Sequence, residues 1–352
     1  MEGFEMACNN SSHAGGIDRL MKLYYLPACY SLIFMVGLLG NTTSVAIYLT
    51  KLRPWKSSSI LMVNLALADL LYVLTMPFLV SYYVHGDSWE LGDFMCRLVR
   101  FGFHFHLYGG ILFLTCHAVF RCAVVVRPLG SAQVQRRSRG VAACSAVWAL
   151  AAAGLAPMWN VISLRTGDNR TRCLDFASTE PVSGVRLYSW LLAGLGFLLP
   201  LVVVFACYIC MAKQLAKGPE STSSSRRRAR RAIVLVLAVF VVCFLPYHVL
   251  RVLWIETQIR ETTPCTRQIV HTAYIVSRPL AGLNTLFNLV LYTFSGRKFQ
   301  RALRGSFHWE RWLDKARSLL QRPATSRAGS SHFYLPSRIT FLPDQQWPWN
   351  IL

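Results

Sequence analysis

Long apolar runs alternate with short polar connections along most of this 352-residue chain. A helix needs about 20 predominantly apolar residues to cross the hydrocarbon core of a bilayer. The strands of a membrane barrel would instead alternate in polarity over about ten residues, and that pattern does not occur here. The runs predict an all-α bundle of seven membrane-spanning helices, spans 1 to 7, at about Leu26–Leu49, Ile60–Val84, Met95–Val126, Val141–Ser163, Leu187–Met211, Ala232–Ile255 and Ile269–Phe294.

The charges of the connections predict which way the spans face. The first connection, KLRPWK, the third, with Arg136, Arg137 and Arg139, and the fifth, with RRRARR, are strongly basic. The connections between them mix acidic and basic residues. Lysine and arginine collect in short cytoplasmic loops. We therefore expect a multi-pass protein of the plasma membrane, with the odd-numbered connections in the cytoplasm and the N-terminus outside the cell.

The same pattern predicts how the chain is divided. We expect an extracellular tail over 1–25, a transmembrane domain over 26–296 and a disordered cytoplasmic tail over 313–352. Between the last two, SGRKFQRALRGSFHWERWL alternates basic and aromatic residues. This alternation is typical of an amphipathic helix on a membrane surface, and we place one at 297–312, with membrane lipid as its partner.

Composition supports a bilayer protein. The chain is 54% hydrophobic and 15% charged, whereas soluble domains carry about 25% charged residues. The net charge of +21 by itself would suggest nucleic-acid binding. However, the basic residues lie between apolar runs, so the membrane topology explains the charge better and no nucleic-acid partner is expected.

Cysteines and glycosylation sequons mark the outer side. Four of the eleven cysteines lie in or next to polar outer connections, namely Cys8, Cys96, Cys173 and Cys265. The outer side is oxidising, so these cysteines can form disulfides. One arrangement joins Cys96 to Cys173 and Cys8 to Cys265, although four cysteines allow three pairings. The sequons predicted on that side begin at Asn9, Asn10 and Asn169.

Basic and aromatic side chains recur in the outer third of three spans. Arg100, His104 and Tyr108 in span 3 follow one another at intervals of four residues and therefore share a helix face. His248 and Arg251 share a face of span 6. The other members of this set are Arg278 in span 7 and Tyr83 at the outer end of span 2. Charges inside a span usually face a water-filled cavity or a partner.

The sequence places no acidic residue at the depth of these arginines, so the cavity is expected to lack negative charge. Arginine forms bidentate, charge-assisted hydrogen bonds with carboxylates. Two or three arginines on different helices would therefore suit a small dicarboxylate. One alternative is that a loop acid such as Asp175 pairs with Arg278 or Arg251 until a ligand replaces it. His106 and His117, deeper in span 3, are expected to be packed core histidines.

Polar landmarks inside the spans resemble those of rhodopsin-like G-protein-coupled receptors. The landmarks are Asn41, Asp69 in NLALADLL, Trp148, Pro200, Pro246 in CFLP, and Asn288 and Tyr292 in NLVLY. The segments GDFMCRLVRFGFHFHLY, FLPYHVLRV and AYIVSRPLAGLNT are similar to the nucleotide- and carboxylate-receptor branch, in particular to receptors for 2-oxoglutarate. The resemblance implies ligand-binding roles for the positions of Arg100, His104, Arg251 and Arg278.

The resemblance also implies partners and further sites. It implies coupling to a heterotrimeric G protein (Gq or Gi) through Arg121, Tyr208 and Tyr292, with arrestin as a candidate further partner. It implies a candidate sodium site at Asp69, Asn284 and Asn288, although Gly110 replaces a serine common around that site. Around Arg121 the triplet reads FRC, without the usual acid and tyrosine. Neither a cofactor nor a metal-ligand motif is expected.

Several alternatives are weighed against this interpretation. A transporter would carry charge through the whole span and show inverted repeats, and neither is seen. An enzyme would need a catalytic group, and no paired aspartates, Ser–His arrangement or metal-ligand motif is evident. The FRC triplet leaves a non-coupling decoy receptor open. Among ligands, succinate and nucleotides are the alternatives to a 2-oxoglutarate-like dicarboxylate, because the same arginines could hold phosphates.

Overall fold

The computed structural model describes residue 16 and residues 18–126, 130–167, 170–178, 182–216, 224–295 and 297–306. Within these residues, six helical stretches are long and apolar enough to cross a membrane. They correspond to spans 1 to 6 and cover Asp18–Thr50, Ser57–Val84, Gly92–Val126, Arg137–Val161, Gly184–Gln214 and Arg230–Ile259. Span 7 is also helical, but it is divided at Leu283 into two shorter helices.

The individual elements follow the spans closely. The α-helices are Leu26–Thr50, Ser57–Val73, Met76–Val84, Gly92–Val126, Ser131–Val134, Arg137–Val161, Val182–Ala193, Leu199–Ala216, Ser224–Val239, Leu245–Ile259, Pro264–Gly282, Asn284–Ser295 and Arg297–Ser306. Three π turns, at Met21–Tyr25, Gly194–Leu198 and Phe240–Phe244, lie within or next to spans 1, 5 and 6. The short elements outside the bundle are strands β1 (Leu164–Gly167) and β2 (Arg170–Cys173) and the 3₁₀ turn Phe176–Ser178.

Most spans extend beyond the apolar runs that predicted them. Span 3 begins at Gly92 and span 6 at Arg230, two or three residues before their apolar runs. A helix satisfies its backbone hydrogen bonds internally and can therefore continue into the polar headgroup region. Hydropathy detects only the part that lies in hydrocarbon, so it shortens each helix.

Prolines explain the irregular turns in spans 5 and 6. The π turns Gly194–Leu198 and Phe240–Phe244 are each followed at once by a helix whose second residue is a proline, Pro200 or Pro246. Proline has no backbone N–H, and its ring collides with the carbonyl of the preceding turn. The helix accommodates this by widening locally, as such bulges do.

Span 3 lies at the centre of the bundle and contacts spans 2, 4, 5 and 6. Trp148 of span 4 donates a hydrogen bond from its indole N–H to the side-chain oxygen of Asn64 in span 2, at 2.9 Å. Large apolar side chains on the outward faces of the spans are exposed, including Leu150, Leu187 and Leu195. Such a belt of exposed apolar side chains is what the hydrocarbon of a bilayer covers.

A hairpin covers the outer end of the bundle. Strands β1 and β2 pair antiparallel, with Leu164 opposite Cys173. Cys173 forms a disulfide with Cys96 at the start of span 3, which confirms that predicted bond. Cys265 is also disulfide-bonded, while its predicted partner Cys8 lies outside the described residues. So do the predicted glycosylation sites Asn9, Asn10 and Asn169.

At the inner end, the helix Arg297–Ser306 follows span 7. Its Phe299 is buried against Tyr48 of span 1, with ring centroids 5.2 Å apart, and against Tyr292 of span 7. Arg301 on the same helix is exposed. The helix therefore has one apolar side that packs on the bundle. Residues 307–312 of the predicted amphipathic helix and the predicted tail 313–352 lie outside the described residues.

Candidate ligand-binding site

The disulfide and Arg100 form the first side of the site. Arg100 follows Cys96 by four residues, so both lie on the same face of span 3. The Arg100 guanidinium donates a hydrogen bond to the backbone carbonyl of Cys173 at 2.9 Å and another to the hydroxyl of Tyr83 at 3.4 Å. Arg278 of span 7 donates to the same Tyr83 hydroxyl, also at 3.4 Å. One tyrosine thus brings two guanidinium groups to within about 7 Å of each other.

Asp175 enters the site from the hairpin. It follows Cys173 by two residues and is buried, and its carboxylate lies 3.5 Å from the Arg278 guanidinium. The hydroxyl of Tyr274 donates a hydrogen bond to the same carboxylate at 2.8 Å. Burial alone would raise the pKa of the Asp175 carboxyl. The nearby His104, Arg278 and Arg100 and the hydrogen bond from Tyr274 outweigh that effect and hold the pKa well below its ordinary value.

Arg251 forms the opposite side of the site and is fully buried. Its guanidinium donates to the hydroxyl of Tyr108 at 2.6 Å and to the backbone carbonyl of Ser189 at 3.3 Å. It also lies over the rings of Phe176 and Tyr247, at 5.5 Å from each centroid. Among the described residues, no carboxylate is within ion-pairing distance of Arg251.

His104 and Tyr247 connect the two sides. His104 Nε2 is 3.0 Å from the Tyr247 hydroxyl and 3.8 Å from the Asp175 carboxylate, and its Nδ1 is 3.0 Å from the Arg100 carbonyl. His248 lies one turn from Arg251 and stacks on Phe197, with centroids 4.5 Å apart. In the part of the chain that the structure describes, neither ring nitrogen of His248 has a hydrogen-bond partner.

The structure therefore brings together all the residues that the sequence grouped in the outer third. They are Tyr83, Arg100, His104, Tyr108, His248, Arg251 and Arg278. It corrects one expectation, since the cavity does contain an acid, Asp175. The loop that carries this acid is folded inward by the disulfide, so depth along the spans was the wrong measure of its position. Of the two pairings considered for Asp175, the structure forms the one with Arg278.

Some pocket residues were not singled out from the sequence. Tyr274 holds Asp175, and Phe176 covers Arg251 and His104. Both are fully buried. One signal could have revealed the loop residues. Cys173 pairs with a cysteine one turn before Arg100, so the residues directly after Cys173 must lie near Arg100.

A second polar cluster lies deeper in the bundle. We define the Asp69 cluster as Asp69, His106, Asn284, Asn288 and Tyr292. Asn288 donates to both oxygens of Asp69, at 3.2 and 2.9 Å, and the Tyr292 hydroxyl donates to one of them at 3.3 Å. His106 Nε2 is 2.9 Å from the Asp69 carboxylate. His106 is thus a buried core histidine, as expected, and it contacts the residues predicted as a sodium site.

The residues predicted for G-protein coupling lie nearer the inner end. Arg121 is half-buried near the end of span 3, and Tyr208 of span 5 is half-buried against the core. Tyr292 is fully buried, and its hydroxyl also donates to the side chain of Asn41 at 3.3 Å. Tyr292 therefore lies between the Asp69 cluster and the inner helix rather than at the inner surface. His117, one turn before Arg121, is fully buried as predicted.

Comparisons with known proteins agree with this geometry. The chain is 46% identical over 281 residues to 2-oxoglutarate receptor 1 of Rattus norvegicus, which covers 80% of this chain and 83% of the relative. It is 38% identical over 286 residues to a type 1 purinoceptor of Gallus gallus, covering 80% of this chain and 79% of the relative. A type 2 purinoceptor of Homo sapiens is 37% identical over 287 residues, covering 80% and 76%.

The match to a family extends over most of the bundle. Residues 40–292 match the family described as 7 transmembrane receptor (rhodopsin family). This range includes the disulfide, the outer arginines and the Asp69 cluster. It confirms the receptor class that the landmark residues predicted and excludes an enzyme. The chain belongs to the rhodopsin family of seven-transmembrane receptors, and it is a multi-pass G-protein-coupled receptor of the plasma membrane with a small-molecule ligand.

Proposed function

We propose that this receptor responds to a small extracellular dicarboxylate similar to 2-oxoglutarate. One observation carries the proposal. Three buried guanidinium groups, those of Arg100, Arg251 and Arg278, meet beneath the hairpin around a single carboxylate, that of Asp175. Each of the three has an Nε–H without an acceptor among the described residues. A buried donor without an acceptor is costly, so an anion that accepts these hydrogen bonds is favoured.

The positions of the arginines favour a ligand with an anionic group at each end. Arg100 and Arg278 flank Tyr83 on one side, and Arg251 and Tyr108 form the other. One ligand carboxylate would bind Arg251 directly. The other would bind Arg100 and Arg278, either beside Asp175 or in its place. His104 lies between the two sides and would orient the ligand by hydrogen bonding.

The magnitudes are those of a metabolite sensor. A dicarboxylate of about ten heavy atoms can gain at most about 1.5 kcal/mol per atom, and polar ligands gain much less. Both carboxylates must lose water before they bind, which costs several kcal/mol each. A dissociation constant between about micromolar and millimolar is therefore expected. An abundant extracellular metabolite would reach such concentrations.

The signal would pass through the bundle as a shift in populations. A dicarboxylate held by spans 3, 6 and 7 draws their outer ends together and favours the conformation in which the inner end of span 6 moves outward. Arg121, Tyr208 and Tyr292 would then contact a G protein of the Gq or Gi class, with arrestin as a further partner. The helix Arg297–Ser306 would rest on lipid of the inner leaflet.

A nucleotide is the second candidate ligand. Two of the relatives named above are purinoceptors, and the same arginines could bind phosphates. A nucleotide is larger, however, and the base and ribose would have to displace Phe176, which is fully buried over Arg251. The tight covering of the arginines favours the smaller ligand.

The test is a panel of metabolites applied to transfected cells. The panel contains 2-oxoglutarate, succinate, itaconate, ADP and ATP, and the readouts are calcium release and inhibition of cyclic AMP. We expect responses to dicarboxylates, and the two readouts separate Gq from Gi coupling. Arg100→Ala, Arg251→Ala and Arg278→Ala should each weaken the response by well over tenfold, because removing one partner of a buried charged pair costs about 2–5 kcal/mol.

Arg172→Ala is the matched control, since Arg172 is an exposed arginine on the same hairpin. It should respond as the wild type does. Surface expression of every variant is measured with an N-terminal tag. A response to nucleotides alone, or wild-type responses from all three pocket variants, would exclude the proposal. Expression without any coupled response would favour the decoy receptor.

A further inference from the structure

The Asp69 cluster is closed by hydrogen-bond donors from three sides. Asp69 is fully buried in span 2. Its carboxylate receives hydrogen bonds from the Asn288 amide, the Tyr292 hydroxyl and the His106 imidazole, at distances between 2.9 and 3.3 Å. A buried carboxylate is tolerated when it is fully hydrogen-bonded or paired. Here the protein itself supplies those bonds.

The direction of these bonds decides which ligand the cluster can accept. A carboxylate only accepts hydrogen bonds, so His106 Nε2 must carry a hydrogen that points at Asp69. The amide of Asn288 and the hydroxyl of Tyr292 also point hydrogens at it. A hard cation needs oxygen lone pairs in these directions. The positive ends of three dipoles lie there instead.

The His106 ring is held in this orientation by its surroundings. It stacks on the ring of Tyr72, with centroids 4.1 Å apart and planes 6° apart. Its Nε2 is also 3.2 Å from the Thr285 hydroxyl of span 7. The ring is 2% exposed, so no route to solvent lets it turn away. His106 therefore ties span 3 to spans 2 and 7.

One turn deeper, Gly110 removes an oxygen that a cation would use. A side chain at this position would reach Asn284, because a Cβ built on Gly110 would lie 3.3 Å from the Asn284 amide nitrogen. That amide nitrogen has no hydrogen-bond partner among the described residues. A serine at position 110 could place its hydroxyl there, while glycine offers nothing.

We infer that the imidazole of His106 takes the place of a sodium ion beside Asp69, so that this receptor does not bind sodium at its core. The predicted site at Asp69, Asn284 and Asn288 has the residues of a cation site but is filled from within by a side chain of span 3. A ligand that does not bind shifts no equilibrium. Changes in sodium concentration will therefore leave the conformational balance of the receptor unchanged.

The test uses purified, ligand-free receptor, so its outcome does not depend on which agonist is correct. Thermal unfolding in detergent is followed in 150 mM NaCl (about physiological ionic strength) and in choline chloride at the same ionic strength. For the wild type we expect the same melting temperature in both salts, within about 1 °C. A clear stabilisation of the wild type by sodium would overturn the inference.

The second arm creates the site that His106 is inferred to block. In the double variant His106→Asn with Gly110→Ser, an amide oxygen and a hydroxyl replace the imidazole and the glycine. Sodium at ten times its dissociation constant multiplies the ratio of folded to unfolded receptor by about eleven. The melting temperature should then be roughly 3 °C or more higher in sodium than in choline.

Two controls make the arms decisive. Gly110→Ser alone keeps His106 and should remain insensitive to sodium, whereas His106→Asn alone should become at least partly sensitive and replaces the double variant if that protein is poorly expressed. Retention of ²²Na⁺ by each purified protein gives a second readout that does not depend on stability. If neither variant that carries His106→Asn binds sodium, His106 is not what excludes the ion and the inference fails.

Discussion

Replacing Arg251 by glutamine separates ligand recognition from folding. Arg251 is fully buried, and none of its contacts among the described residues is with a carboxylate. Glutamine keeps part of the side-chain stem and an amide that can still contact Tyr108, but it removes the charge. The proposed ligand would lose the guanidinium that binds one of its carboxylates, whereas the ligand-free receptor would lose a charge with no counter-ion.

The expected magnitudes follow from these contacts. The hydrogen bonds from Arg251 to Tyr108 and Ser189 are made by a charged donor, and such bonds contribute about 1.5–3 kcal/mol each. Burying a guanidinium without a counter-ion costs several kcal/mol. The two effects oppose each other, so the free energy of unfolding of the ligand-free receptor should change by no more than about 1 kcal/mol. A change of that size shifts the melting temperature by about 2–4 °C at most.

Ligand binding has no such compensation. Loss of one partner of a buried charged pair costs about 2–5 kcal/mol. The concentration of dicarboxylate for half-maximal response should therefore rise between about 30-fold and several thousand-fold. The assays are a dose–response series in transfected cells and thermal unfolding of the purified, ligand-free protein. Arg172→Gln, at an exposed position on the hairpin, is the control for both.

Two results would refute this reasoning. An Arg251→Gln receptor with unchanged potency would show that the guanidinium does not contact the ligand. A receptor that loses several kcal/mol of stability without ligand would show that Arg251 is a structural residue, whose contacts with Tyr108 and Phe176 hold spans 3 and 6 and the hairpin together. Only loss of potency with nearly unchanged stability agrees with the proposal.

Other changes in the pocket should behave differently. Arg278→Gln leaves the Asp175 carboxylate without its ion-pair partner in span 7, so it should lower the stability of the ligand-free receptor by about 3–5 kcal/mol as well as its potency; an unfolding temperature equal to that of Arg251→Gln would contradict this. Asp175→Asn removes the internal carboxylate, and if the ligand takes its place the potency should rise, whereas a fall would mean that Asp175 stays in the ligand-bound site. Since the folded pKa of Asp175 is depressed, its contribution to stability is present above its ordinary pKa of about 4 and is lost only at lower pH. Dose–response curves of wild type and Asp175→Asn should therefore keep the same separation between pH 6 and pH 8, and convergence within that window would refute an ionised Asp175. Cys96→Ser removes a disulfide between residues 77 positions apart, which should cost about 2–5 kcal/mol and reduce surface expression and potency together; normal levels of both would show that the hairpin does not need it.

The sequence by itself determined the membrane architecture. Apolar runs of about 20 residues can only be satisfied by helices that cross a bilayer, and basic connections orient them. It also determined which side chains share a face, because the helical repeat places Arg100, His104 and Tyr108 in one row. The pairing of Cys96 with Cys173 was one of three that the sequence allowed.

The tertiary structure decided how these rows are completed. Asp175 is 103 residues from Arg278 in sequence, and no periodic pattern connects a loop residue with a helix face. His106 is 37 residues from Asp69, and its contact depends on how spans 2 and 3 are rotated against each other. Rotation and loop insertion are set by packing of the whole bundle, which neither hydropathy nor helical periodicity contains. The sequence therefore indicated where charge would be concentrated, and only the folded protein showed which of those charges it neutralises itself.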